Sequence, residues 1–256
     1  MKLRLITTGL FALSLLISLL ASAQELSGTT RMEATTCIYN EGKGPKDLHE
    51  VNTKWNKWAD HNKIPAYDLW NLTPRYVEDN TYIDVVRLGG WQNGIDMGKG
   101  LDIWKSKGSE IAAEYSKVLN CYENNSVESI SIRSPDMTSQ PKTAVVTFSN
   151  CNLNEGISVP DGILALEHWG KYLDSIGSKA SIQALLPVYG RAAAEDWDFK
   201  LFVTHPNYTS LGYDWENSRN RRGGIKAIEI MAGSMTCDVP RVYDTTLIRR
   251  GIVEAD

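Results

Sequence analysis

A hexapeptide that occurs twice constrains the fold of this chain more than any other feature. Cys37-Ile38-Tyr39-Asn40-Glu41-Gly42 and Cys151-Asn152-Leu153-Asn154-Glu155-Gly156 share the form C-x-x-N-E-G, 114 residues apart. Further residues match at or near that offset: Trp55 falls on Trp169, Trp58 on Tyr172, Asp84 on Asp198 and Gly98 on Gly212, and Pro74 meets Pro187 at 113. Such self-similarity predicts a duplicated unit. The boundary is expected in the Pro- and Ser-containing segment from Ser134 to Pro141, with units over 24–137 and 138–256.

Ahead of the first copy, Lys2 and Arg4 precede an apolar run from Leu10 to Leu20 and the small residues Ala21-Ser22-Ala23. This pattern predicts a secretory signal peptide over residues 1–23. A membrane anchor needs about 20 apolar residues, whereas this run is shorter and leads into a polar stretch. Removing 23 of the 256 residues leaves 233, and loss of Lys2 and Arg4 shifts the formal charge from −4 to −6. The product is expected to be secreted or periplasmic, with no stable membrane insertion. Its acidic balance, with no basic cluster beyond Arg219 to Arg222, leaves no footprint for nucleic acid.

An oxidising compartment makes two disulfides the first reading of Cys37, Cys121, Cys151 and Cys237. Cys37 and Cys151 each open a hexapeptide, while Cys121 and Cys237 each stand twelve residues before an Arg that closes an Ile-Arg pair, Arg133 and Arg249. The repeat therefore selects one bridge per unit, Cys37 with Cys121 and Cys151 with Cys237. Each would close a loop of about 85 residues, a constraint of roughly 4 kcal/mol in the chain-entropy model. A zinc site would call for C-x-x-C or a His at ligand spacing; neither is present, and no metal is expected.

Each unit reads as the same order of elements. A β-rich run (Met32 to Tyr39; Thr143 to Cys151) ends at the hexapeptide, whose Asn is suited to bonding the turn and whose Glu41 and Glu155 are read as structural. Leu48, Val51, Trp55, Trp58 and Ala59 recur at helical spacing, as do Ile163, Leu166, Trp169, Tyr172 and Leu173. Two strand-like segments follow (Tyr67 to Tyr76 and Tyr82 to Leu88; Ser181 to Tyr189 and Trp197 to Thr204). A glycine-broken helical stretch and a last strand (Val127 to Arg133; Tyr243 to Arg249) complete each copy. The order is β-α-β-β-α-β, the ferredoxin-like pattern, in which strand four lies beside strand one and brings each Cys pair together.

Two such units in tandem, with a Trp-bearing first helix and a glycine-punctuated second helical region, resemble the dimeric α+β barrel superfamily in a fused, pseudo-dimeric form. The C-x-x-N-E-G, the Trp helix and the segment containing Trp104 also resemble secreted bacterial proteins of unassigned function. The superfamily includes cofactor-free monooxygenases and haem-dependent peroxidases and chlorite dismutases. The resemblance implies an α+β barrel with helices outside and a barrel face and a helix face on each strand.

On that arrangement, Trp197, Phe199, Leu201 and Val203 are expected against the helices, with Asp198, Lys200, Phe202 and Thr204 toward the barrel. In the first unit Ile83 and Val85 are assigned to the helices, and Tyr82, Asp84, Val86 and Leu88 to the barrel, joined by Glu33 and Thr35. Asp84 and Asp198 are the sharpest acid-base candidates, since a carboxyl group in a partly apolar cleft can act as a general base; the alternative is pairing with Lys200, Arg87 or another strand residue. His49 and His61 are expected in solvent. His168 and His205 are better placed to line a pocket, and Trp91 and His205, equivalent across the repeat, are candidate pocket rims. Haem would need an axial ligand such as His, yet neither candidate has a His at its repeat position, and no cofactor is expected.

Trp55, Trp58 and Trp169 are in register with core positions. No nucleophile-elbow, phosphate-loop or zinc-protease motif occurs. Three readings follow: an exported protein binding a small, partly apolar molecule in the barrel; a cofactor-independent, monooxygenase-like enzyme; and a scaffold without catalysis. An open apolar pocket with converging polar groups would favour the first two.

Overall fold

The computed structural model describes residues 29–78, 82–135, 142–191, 195–219 and 225–251. The expected signal peptide and most of the segment expected to divide the units lie outside them. The first run of elements is β1 (Thr29–Tyr39), α1 (Pro45–His61), β2 (Tyr67–Tyr76), β3 (Val85–Trp91), α2 (Gly94–Lys107), α3 (Ser109–Ser116) and β4 (Leu119–Arg133). The second is β5 (Thr143–Leu153), α4 (Val159–Ser175), β6 (Ser181–Tyr189), β7 (Phe199–His205), α5 (Tyr208–Asn217), α6 (Lys226–Met231), β8 (Met235–Cys237) and β9 (Arg241–Arg249).

The same local chemistry starts the elements in both runs. Gly42 and Gly156, at φ 71° and 79°, take the left-handed turn after each hexapeptide that glycine adopts without a steric penalty. At the next helix start, Asp47 accepts from the Gly44 N–H at 3.1 Å and Asp161 from the Ser158 N–H at 3.2 Å, and Pro45 and Pro160 occupy the first turn, where no N–H is needed. Asn93 and Asn207 cap α2 and α5, each side-chain oxygen accepting an N–H three residues on at 2.9 Å. The hexapeptide asparagines reach beyond their own turns: Asn40 donates to the Ser116 carbonyl and Asn154 to the Ala232 carbonyl, both at 2.8 Å. Glu41 and Glu155 are exposed.

Every strand pairing is antiparallel, and the strands close into a barrel in the order β4-β1-β3-β2-β9-β5-β7-β6, with β6 returning to β4. β8 lies beside β5 in line with β9. β4 is longer than the last strand expected and contains Cys121, opposite Cys37. In the second run the corresponding ladder breaks at Asp238-Val239-Pro240, where Pro240 has no N–H to donate. The bridges Cys37–Cys121 and Cys151–Cys237 form as the repeat predicts. Because β1 and β5 run toward the same end of the barrel, both bridges lie at that end.

Three apolar clusters hold the molecule. Leu48, Val51, Trp55 and Ala59 of α1 pack on Cys37, Leu69 and Val85, and Ile163, Leu166 and Leu173 of α4 pack on Cys151, Phe199, Leu201 and Val203. The third cluster fills the barrel with residues of both runs: Met32, Leu72, Leu88, Val127, Val146, Leu185, Phe202 and Tyr243. The Ile-Arg pairs join the runs. Arg133 of β4 donates to Asp174 beyond α4's midpoint at 2.8 Å and to the Ser178 carbonyl at 2.9 Å, while Arg249 of β9 donates to Asp60 of α1 at 2.7 Å. Among the described residues no helix is long and apolar enough to cross a membrane.

Candidate functional site

Two of the cavities among the described residues open from this frame. One, of about 390 Å³, lies inside the barrel. The other, of about 300 Å³, lies between the outer face of β1, β2 and β3 and the helices α1 and α2. The second brings together the groups able to do chemistry. Its polar wall is Glu33, Tyr67 and Arg87, and its apolar walls are the indoles of Trp55, Trp58, Trp91 and Trp104.

Strand register builds the polar wall. Glu33 of β1 and Leu69 of β2 flank Gly89 of β3, and the Tyr67 ring crosses the gap that Gly89 leaves. A Cβ at position 89 would lie 1.7 Å from the Tyr67 hydroxyl. That hydroxyl donates to Glu33 Oε1 at 2.7 Å. Burial pushes the Glu33 carboxyl above its ordinary range, opposed by the Tyr67 hydrogen bond and the Arg87 charge. Burial, reinforced by Glu33, holds the Tyr67 phenol well above its ordinary value, so it remains a donor at neutral pH. Arg87, one residue pair nearer the disulfide end, donates to the Tyr115 hydroxyl at 2.8 Å, and Tyr115 donates to Asn52 Oδ1 at 2.8 Å.

The aromatic wall is ordered by edge and face contacts. Trp58 and Trp104 meet edge to face at 5.3 Å, and the Tyr67 ring lies 4.2 Å from that of Trp91. Trp91 sits in a notch at Gly100, where a Cβ would fall 2.0 Å from the indole. Arg87 Nε, Trp91 Nε1 and Asn52 Nδ2 are buried donors with no protein acceptor. Buried polar groups in folded proteins are otherwise nearly always paired. Two of these donors belong to cavity-lining residues, Arg87 and Trp91, while Asn52 stands behind Arg87 through Tyr115, and the Arg87–Trp91 side is suited to a ligand carrying acceptor oxygens.

The second run does not repeat this wall. At the 114-residue offset Thr147 stands for Glu33, Ser181 for Tyr67, Leu201 for Arg87 and Leu166 for Asn52, and Leu166 and Leu201 are packed in the α4 core. His205 stands for Trp91 and Asp214 for Gly100. The two are buried with His205 Nδ1 3.3 Å from Asp214 Oδ2, which accepts from the Ser178 hydroxyl at 2.7 Å. A His–Asp pair thus fills the space that the indole and glycine fill in the first run.

Several sequence expectations are corrected here. Glu33 and Thr35 face the helices, not the barrel; Met32 and Ala34 take the barrel face. Asp84 and Asp198 are exposed and line neither cavity. Each instead accepts a backbone N–H from the neighbouring strand end, Tyr39 for Asp84 and Leu153 for Asp198, both at 2.7 Å. Tyr82 is 81% exposed, because β3 begins only at Val85. His168 is exposed on α4. Trp91 and His205 close their strands as buried residues on the helix face, so neither is a loop rim, although Trp91 lines both cavities. Trp197 precedes β7 and lies under the Lys200 ammonium, 4.3 Å from its ring centroid. Lys200 does turn into the barrel, at the disulfide end, where it donates to Asn150 Oδ1 at 2.8 Å, away from the cavity. Tyr67, Arg87 and Gly89 are not assigned to a pocket by the sequence, where Arg87 is only a candidate partner for the strand carboxylates; the paired glycines Gly89-Gly90, which lie inside β3, are the signal for the close approach.

Haem does not fit these donors. Among the described residues neither cavity is lined by a His or Cys, Tyr67 is engaged with Glu33, and His205 is paired with Asp214 outside both cavities. Among the described residues no group of three metal-ligating side chains converges.

No protein-family model and no curated protein matches the sequence. Solved structures match the fold at a TM-score of 0.50. One described as a chlorite dismutase is 9% identical over 86% of this chain and 95% of its own. A mutant chlorite dismutase from Candidatus Nitrospira defluvii is 6% identical over 86% and 92%, and a protein from Lactobacillus acidophilus described as a monooxygenase is 9% identical over 87% and 95%. The likeness is one of fold, and it supports the dimeric α+β barrel architecture.

Proposed function

We propose that this chain is an exported, cofactor-independent, monooxygenase-like enzyme whose active site is the Glu33–Tyr67–Arg87 cavity of its first unit. The observation that carries this reading is a carboxyl group of raised pKa, held by a phenol and facing a guanidinium, in an aromatic-walled cavity that the second unit lacks. A carboxylate whose pKa is raised by burial is a better base for a weak acid than an ordinary one. Glu33 takes a proton from a planar substrate held between the indoles, and the Arg87 side supplies positive charge and unpaired donors to the anion that forms. Dioxygen is the oxidant. For anthrone as a model substrate, the ring methylene is oxidised to a carbonyl, one oxygen atom enters the product and the other leaves as water.

The solved neighbours that carry monooxygenase and chlorite dismutase names lend this class support at the level of fold only. The two disulfides and the N-terminal pattern support export to an oxidising compartment. Duplication of a ferredoxin-like unit, over 24–137 and 138–256, is supported by two observations. The strand order β4-β1-β3-β2 recurs as β9-β5-β7-β6, and Cys37 faces Val85 as Cys151 faces Phe199, at the same 114-residue offset.

An oxygen electrode tests the reading with the mature chain and anthrone. Substrate-dependent oxygen uptake that Glu33→Gln abolishes is the expected result. Saturable binding with no uptake by the wild-type chain would overturn the enzyme reading in favour of a binding protein.

A further inference from the structure

The interior of the barrel is shaped as a cup. Toward the disulfide end it is closed by an aromatic layer, with Phe148 4.6 Å from Phe202 and 5.7 Å from Tyr243, centroid to centroid. Above that layer Met32, Leu72, Leu88 and Val146 form an apolar wall drawn from both units, and the cavity of about 390 Å³ opens at the opposite end. The mouth is polar, with the hydroxyls of Thr30, Thr204 and Thr245 and the amide of Gln183. The ionisable side chain in the lining is Asp68, whose carboxylate accepts the Gly251 N–H at 2.6 Å and lies 3.6 Å from Arg250. Among the described residues no Lys, Arg or His lines the cup.

We propose that the cup is a second ligand site, separate from the Glu33 cavity, that takes an uncharged amphiphile. An alkyl chain or ring is buried against the apolar wall, and a hydroxyl or carbonyl stays among the threonines and Gln183. The volume falls within the range in which proteins enclose small ligands. Transfer of apolar surface from water drives entry. The lining selects against a carboxylate, which would be desolvated against the apolar wall and would face Asp68, the group that Arg250 already pairs with.

Gly90 gives access to the cup by mutation. A Cβ there would sit 3.7 Å from the Trp70 ring and 3.9 Å from Met32, in ordinary contact, and its position beside Met32 directs a longer side chain into the cavity. Ala144, at the mouth, offers an independent block.

Isothermal titration of the mature chain with 1-octanol and with sodium octanoate is the test. Saturable one-to-one binding of 1-octanol is expected, with octanoate at least tenfold weaker. Gly90→Leu and Ala144→Phe, each checked for a native circular dichroism spectrum, should each weaken 1-octanol at least tenfold, while Glu33→Gln leaves it unchanged. Absence of saturable 1-octanol binding, equal affinity for octanoate, or binding unaffected by whichever blocking variant folds would overturn the proposal. Loss of binding in Glu33→Gln would do so as well, by placing the alcohol in the other cavity.

Discussion

The hydroxyl of Tyr67 reaches Glu33 by passing over Gly89, so a contact between side chains two strands apart depends on the hydrogen atom of a third residue. Gly89→Ala is therefore expected to displace the ring, abolish cavity binding and lower stability by about 1–3 kcal/mol, as overpacking does. Gly90→Ala, one residue on and facing the barrel, should leave cavity binding and stability nearly unchanged. Urea melts and ligand titrations of the two variants side by side measure the contrast; equal effects would show that Tyr67 does not need the gap.

Glu33 makes stability depend on pH. Its carboxyl is raised by burial, and a group whose pKa is higher folded than unfolded favours folding below the unfolded value, a contribution lost as pH rises through the folded value. The wild-type chain should lose stability relative to Glu33→Gln as pH rises from about 4.3, the ordinary glutamate value. Thermal melts of both chains between pH 4 and 8 would show a widening gap; parallel curves would mean that Glu33 titrates normally.

Asp84 and Asp198 hold strand ends. Replacing either by Ala removes a hydrogen bond from a backbone N–H to an exposed carboxylate, which should cost about 1 kcal/mol in a denaturant titration. Affinity at either cavity should not change. A selective loss of binding in Asp84→Ala would restore that residue to the site.

Arg133 and Arg249 occupy matching places at the ends of β4 and β9, but they are not equally engaged. Arg133 is bonded to Asp174 and to the carbonyls of Ser178 and Ala180, whereas Arg249 has Asp60 as its hydrogen-bond acceptor. Arg133→Met leaves two buried carbonyls without their donor and should cost about 2 kcal/mol. Arg249→Met, with an exposed carboxylate as partner, should cost under about 1 kcal/mol. Chemical denaturation ranks the two, and the reverse order would be evidence against this account.

Read alone, the sequence determined the disulfide pairing, the broad order of strands and helices, and that the last strand of each run lies beside its first. These rest on local signals that keep their meaning anywhere in a fold: a cysteine at a fixed offset, apolar residues at helical spacing, a Gly that turns the chain. Only the tertiary structure decided which face of β1 carries Glu33, that Tyr67 and Arg87 belong with it, and that Asp84 and Asp198 bond backbone amides. The physical reason is the closed barrel with helices outside, where both strand faces are buried. Alternation then separates the two faces but carries no label for inside and outside, and a shift of one residue exchanges them. The loss of the polar wall in the second unit was present in the sequence as Thr147, Ser181 and Leu201, and it became visible only once Glu33, Tyr67 and Arg87 were seen to meet.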